Sequence, residues 1–286
     1  MYYLLVVVSV LMFGGCFALN DVYRKLRSSS LISSMESAFV GSLAGLAVML
    51  AVSGLDFQAT PFTLCIALLS ALNGIGFTVF SFKALDHANL SLYSLFSMLG
   101  GMALPFFQGI LFYGEPVTGA KIVCVVCICI ALSMTVSRGK GKNAAVYYIG
   151  VFILNGMSGV LSKIFASAPF AKTGAEWYSI WNAVFAAVIS GLVWLVLSRK
   201  KRAQRYSWRA FGVSALSGSV NRVANFLLVI ALAHLDASVQ YPMVTGGVII
   251  VSTALCFFGE SKPSKKELLS VLFAFLGMLA LFLMKG

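Results

Sequence analysis

Charged side chains are what this sequence has least of. Asp and Glu number 9 and Lys and Arg 21 among 286 residues, 10% together, where an ordinary soluble domain carries about 25%. Beside an apolar content of 60%, that scarcity excludes a sizeable water-facing domain. Cysteine is sparse and scattered: Cys16, Cys65, Cys124, Cys127, Cys129 and Cys256 all stand inside apolar runs. Neither a disulfide framework nor a zinc site with matched pairs is legible in them. The Cys124-x-x-Cys127 pair reads as lipid-facing packing, a free thiol behaving as a small hydrophobe. Segments of about ten residues with strict polar and apolar alternation are missing, which argues against a transmembrane barrel. No basic residue precedes the opening run 2–19, so that run reads as a first helix and not as a removable signal.

What the sequence does have is a series of long apolar stretches, at 2–20, 34–54, 62–84, 90–112, 118–137, 146–167, 176–197, 208–232, 237–258 and 267–285. Each is close to the roughly 20 residues that cross a bilayer core as a helix. They are separated by polar or breaker clusters, such as Thr60-Pro61, Asp86-His87-Ala88-Asn89, Gly114-Glu115-Pro116 and the basic run Arg138 to Asn143. Hydrocarbon would leave charge or backbone unsatisfied at each of these places. The expectation is an all-α integral membrane protein with ten transmembrane helices.

The chain also repeats itself. Ala84-Leu85-Asp86-His87-Ala88-Asn89-Leu90-Ser91 answers Ala231-Leu232-Ala233-His234-Leu235-Asp236-Ala237-Ser238. Gly100-Gly101 answers Gly246-Gly247, and Phe112-Tyr113-Gly114-Glu115 answers Phe257-Phe258-Gly259-Glu260. Two five-helix units follow, 1–143 and 144–286. Five is odd, so the second unit enters the membrane from the opposite face, as in the inverted repeats through which many secondary carriers alternate access.

These Gly-Glu turns and the Ala-Leu-x-His helix links resemble the ten-helix drug/metabolite transporter (DMT) superfamily, in particular its EamA-type carriers, over nearly the full length. Halves of that type commonly begin with an aromatic-Gly-x-x-Phe helix that carries a lysine about eight residues on. Phe13-Gly14-Gly15-Cys16-Phe17 looks like such a start, with Asp21 at the lysine position; in the second half Asn155-Gly156 leads to Lys163. The resemblance implies metabolite transport and carries over Lys163 as a site residue. It more often implies termini inside the cell.

Charge points the other way for the termini. Lys and Arg crowd alternate connections, sixteen of them from Arg24 to Lys266 on one side against Lys121, Lys172 and Lys285 on the other. By the positive-inside rule the crowded side is cytoplasmic, leaving both termini outside a multi-pass protein of the cell membrane. The net charge of +12 is then an orientation signal, with attraction to anionic headgroups. It does not call for nucleic acid, which needs a soluble basic surface.

The eighth span carries the most informative pattern. Ser214, Ser217, Asn221 and Asn225 recur at helical spacing, with Arg222 beside them at mid-span. An arginine there costs roughly 2.5 to 3.5 kcal/mol on insertion scales, which is sustained by a wet cavity or by a partner. Arg222 is expected to anchor a carboxylate or phosphate; the alternative is a structural partner, Glu36 or backbone carbonyls at a broken helix. Asn155, Ser158 and Ser162 beside Lys163 form a second polar stripe, and Ser70, Asn73 and Ser81 a weaker third. Asn73 and Asn221 occupy nearly equivalent places in the two repeats, which favours a cavity at the repeat interface. Tyr93, Trp181 and Tyr241 lie in polar-containing spans and could stack a substrate, whereas Trp177, Tyr178 and Trp208 sit at span ends, where the interfacial belt accounts for them.

The expected activity is secondary transport of a small polar metabolite, with substrate binding by Asn73, Tyr93, Asn155, Lys163, Trp181, Asn221, Arg222, Asn225 and Tyr241, and without a cofactor, a metal or catalysis. A flippase for lipids or lipid-linked sugars would share the scaffold. A membrane-embedded enzyme is the third class, resting on His87 beside Asp86 or His234 near Asp236, but adjacent residues on one link do not converge on a point. Partners are the small-molecule substrate and membrane lipids, with a homodimer as one assembly. Glu115 and Glu260 fall where an acid favours the start of the following helix. Gly100-Gly101 and Gly246-Gly247 are read as close packing sites rather than unwound segments, like Gly41 and Gly45.

Overall fold

The computed structural model describes residues 1–27, 30–54, 56–87, 90–134, 144–200, 207–256 and 265–284. Among these residues the chain is helical, with ten α-helices and no strand: α1 (Tyr2–Leu26), α2 (Leu31–Ser53), α3 (Pro61–His87), α4 (Leu90–Tyr113), α5 (Gly119–Met134), α6 (Ala144–Ser167), α7 (Ala175–Lys200), α8 (Trp208–Leu232), α9 (Ala237–Cys256) and α10 (Lys265–Leu283). Eight of them, all but α5 and α10, are long and apolar enough to cross a membrane. The apolar parts of α5 and α10 are shorter, Gly119–Ala131 and Leu268–Leu281.

Local chemistry sets many of the boundaries. Ser30 and Ser207 cap α2 and α8 by accepting hydrogen bonds from the Ser33 and Ala210 N–H groups. Thr60 does the same for Thr63 at the start of α3, where Pro61 stands at a position that has no use for an N–H. Gly54 and Gly114 follow α2 and α4 with φ of 73° and 64°, a left-handed conformation that a side chain disfavours. Lys172 closes α6 by donating to the Phe165, Ala166 and Ala168 carbonyls.

The main neighbours of each helix are distant in sequence. Helix α1 packs on α8 and α9, α6 on α3 and α4, α2 on α7 and α8, α3 on α7, α4 on α9, and α5 on α10. Glycine permits the closest of these contacts. A Cβ at Gly41 would lie 3.1 Å from the Gly218 Cα, so α2 and α8 touch through their backbones. Gly100 fits in the same way against the Phe152 carbonyl of α6, and Gly247 against Val10 of α1. Helices α4 and α9 run unbroken through their glycine pairs and through Pro105 and Pro242, so these pairs serve packing. Gly218→Ala is expected to drive α2 from α8, because the new Cβ meets backbone and not a flexible side chain. A loss of about 1 to 3 kcal/mol is the scale of such overpacking, read as a lower thermal midpoint in detergent; an unchanged midpoint would show that the helices can part without loss.

Several expectations need correction. Trp177 and Tyr178, assigned above to the interfacial belt, are both buried, Trp177 with Met49 and Ile180 and Tyr178 with Ile66 and Phe165; the ring faces are worth more against apolar neighbours than at a headgroup. Trp208 is exposed, as a belt residue is. Cys124 does not face lipid: it is fully buried among Met102, Ile128 and Ala274, with α10 drawn close by Gly277. The described cysteines Cys16, Cys65, Cys124, Cys127 and Cys129 are free thiols. Gly259, Glu260, Lys262 and the run 138–142 lie outside the described residues.

Candidate functional site

Helix α8 crosses between α2 on one face and α1 on the other, and its polar stripe is shared between two internal chambers. The larger, about 430 Å³, lies among α1, α3, α4, α6, α8 and α9. The smaller, about 310 Å³, lies among α2, α3, α6, α7 and α8. Ser158, Ser162, Asn221, Asn225 and Val229 line both. Asn221 and Asn225 are exposed although they stand mid-helix, which means that their polar groups open into these spaces. The Asn225 amide donates to the Asn221 carbonyl at 2.8 Å and to its side-chain oxygen at 3.0 Å, tying the two into one strip.

Arg222 lines the smaller chamber. Gly45 lets α2 approach the base of its side chain, a Cβ there falling 3.0 Å from the Arg222 Cβ. The guanidinium donates to the Asn182 side-chain oxygen on α7. Among the described residues no carboxylate pairs with it; Glu36 is taken by Arg27, at the end of α1. The structural pair weighed above for Arg222 is therefore made by a different arginine. A guanidinium carries five N–H donors, so most of those on Arg222 remain for whatever fills the chamber. No described residue lining either chamber is Asp, Glu or His, so Arg222 gives the site a net positive charge.

The other sequence-derived residues divide into two groups. Asn155 and Tyr241 line the larger chamber together with Asn221 and Asn225. The Asn155 amide donates to the Ser97 carbonyl at 2.6 Å, and the Tyr241 hydroxyl to the Gly159 carbonyl at 2.9 Å. Asn73 instead joins α3 to α6 through the Leu154 carbonyl and the Ser158 hydroxyl, both at 2.9 Å. Trp181 is held at the mouth of α7, donating its indole N–H to the Gln58 carbonyl at 3.0 Å and packing edge-on against Phe57; it lines neither chamber. Tyr93 lies on α4, but its side chain is outside the described residues.

Lys163 also lies off the chamber walls. Its ammonium meets Glu115 at 3.0 Å and stands over the Tyr113 ring. Glu115 is the hub of a buried latch at the end of the bundle that holds the N-terminus. It accepts from the Ala237 and Ser238 N–H groups, both at 2.8 Å, and from the Ser238 hydroxyl. The acid does favour a helix start, but that of α9 and not of α5, because the α4–α5 link folds across the bundle. Burial opposes its charge, yet the Ser238, Lys163 and Ala237 donors outweigh it and hold the carboxyl below the usual carboxylate range. Beside it Lys121 pairs with Asp236 at 2.9 Å, and His234 stacks on Tyr2, so these two link residues are engaged with other helices and do not converge on one point.

Sequence reasoning missed Asn182 and Tyr178 in the smaller chamber. Tyr178 bonds Ser70 at 2.9 Å and stacks on Phe165 at 4.2 Å. Asn182 interrupts the apolar run of α7 four residues after Tyr178, a spacing that puts both on one face and could have marked them.

The described residues thus define an all-helical chain of the multi-pass membrane class, built around an internal polar crevice with one cation. No family model and no curated protein matches the chain. Solved structures do match; one of them, described only as the crystal structure of a protein, superposes with a TM-score of 0.79 at 18% identity, over 99% of this chain and 96% of its own. That likeness is one of fold.

Proposed function

We propose that this protein is a secondary carrier which moves a small polar metabolite bearing a carboxylate or phosphate across the membrane by alternating access, on a ten-span inverted repeat of the EamA type. The observation that carries the reading is Arg222: a cation at mid-helix, held by a neutral amide and turned into a chamber. Retaining such a group inside a membrane makes physical sense where an anion visits it.

The packing supports the repeat. Exchanging each helix for the one five places on turns α1 on α8 into α6 on α3, α1 on α9 into α6 on α4, and α2 on α8 into α7 on α3. The pairs α2 on α7, α4 on α9 and α5 on α10 map onto themselves, while α9 on α10 has only a weak counterpart in α4 on α5. Apart from that pair, the pattern is what a pseudo-twofold axis between the halves would give.

Reconstitution in sealed vesicles tests the proposal. Preloaded organic anions are expected to drive counterflow of the labelled anion, dependent on the protein and abolished by leak. Conversion of any such compound by the detergent-solubilised protein, where no compartment exists, would instead make the chain an enzyme.

A further inference from the structure

The inference drawn here rests on the carrier reading and gives its cargo a chemical shape. The two chambers differ in what they present. The smaller sets Arg222 among Asn182, Ser42, Ser179 and the bonded pair Tyr178–Ser70, with Ala38, Ala71, Ile75 and Ala186 between them, so the charge has polar company that can hydrogen-bond an anion or its water. The larger offers Phe13, Phe77, Met98, Leu228, Val244 and the ring of Tyr241. Asn20 and Thr245 also reach this wall, but two of its polar groups are committed, the Tyr241 hydroxyl to Gly159 and the Asn155 amide to the carbonyl and hydroxyl of Ser97. Between them stands a neutral polar strip, Asn221 and Asn225, exposed to both sides.

A purely polar cargo such as a sugar phosphate would suit the first chamber but set many of its hydroxyls against the mainly apolar wall of the second, a penalty for every buried polar group without a partner. A bare inorganic anion would leave the larger space to water. We propose that the cargo is a water-soluble amphipathic organic anion. Its carboxylate or phosphate sits on Arg222 in the smaller chamber, its apolar body occupies the larger one, and its neck passes Asn221 and Asn225. The head supplies the charge that Arg222 lacks; the body supplies apolar burial that raises affinity about fourfold for each methylene removed from water.

Competition binding on the full chain in detergent tests this with acetate, phenylacetate, 3-phenylpropionate and 4-phenylbutyrate, each beside its uncharged amide. Affinity is expected to rise steeply from acetate to phenylacetate, where a ring is added, and then about fourfold per methylene to 4-phenylbutyrate, with each amide weaker by about 30-fold or more. Arg222→Gln should erase the gap between acid and amide while the tail dependence persists. Val244→Trp, or the milder Val244→Leu, should flatten the acid series by filling the larger chamber. Acids that bind equally whatever their tail would overturn the amphipathic cargo and leave the anion carrier standing. Acids indistinguishable from their amides at every length would overturn both. Palmitate binding more tightly than 4-phenylbutyrate would overturn the soluble class in favour of a lipid.

Discussion

Arg222→Ala is expected to abolish counterflow of an anionic cargo while the protein still inserts and elutes as a single species. Removing one member of a desolvated, hydrogen-bonded charge pair costs about 2 to 5 kcal/mol, which is a loss of about 30-fold or more in affinity. The effect should be large here because no other described residue lining the chambers carries charge, so nothing nearby can substitute. Arg222→Lys should retain part of the activity, since a point charge remains but the planar fork that reaches both Asn182 and a bidentate anion is lost. Transport at wild-type rates in the alanine variant would remove the anion anchor and the reading built on it.

The second large effect concerns the latch. Glu115→Gln is expected to destabilise the fold by about 3 to 5 kcal/mol, the usual consequence of leaving one partner of a buried ion pair alone. Glu115 is 7% exposed and the Lys163 side chain 8%, so water cannot replace the missing charge. The pH dependence gives an independent check. The folded-state carboxyl is held below its ordinary value of 4.5, so its contribution is complete above that pH and is lost as pH falls through the depressed folded value. The gap in thermal midpoint between wild type and Glu115→Gln should therefore be constant from neutrality down to the ordinary carboxylate value and shrink below it. A gap that persists unchanged into strong acid would mean that the glutamate acts by packing and not by charge.

These two residues show how far the sequence reaches. Arg222 could be singled out because the cost of an intramembrane cation is a property of the residue and its depth, and depth is readable from the run around it. The helices themselves were readable for the same reason: a bilayer demands length and apolarity, and breakers such as Thr60-Pro61 and Gly114-Glu115-Pro116 mark the ends. Asn221 and Asn225 were found through their period, which places them on one face but does not say what that face meets.

Lys163 was read as a site residue from its position after Asn155-Gly156, and Trp181 from its polar neighbourhood. Spacing cannot tell a lysine that faces a cavity from one that faces a glutamate 48 positions earlier in the chain. The partners of Glu115, on α6 and α9, come together only when the α4–α5 link crosses the bundle. Asn182 went unnoticed because a lone amide in α7 has no meaning until Gly41, Gly45 and Gly218 bring α2 and α8 close enough to set Arg222 against it.

By itself the sequence determined the all-helical, apolar character of this protein, the approximate limits of its helices, and the residue whose charge must be accounted for, because each follows from composition and local periodicity. Which polar groups face a chamber and which are consumed in holding helices together was decided only by the tertiary structure. Pairing across a bundle depends on where distant helices meet, and that is fixed by the fit of backbone against backbone at a few glycines.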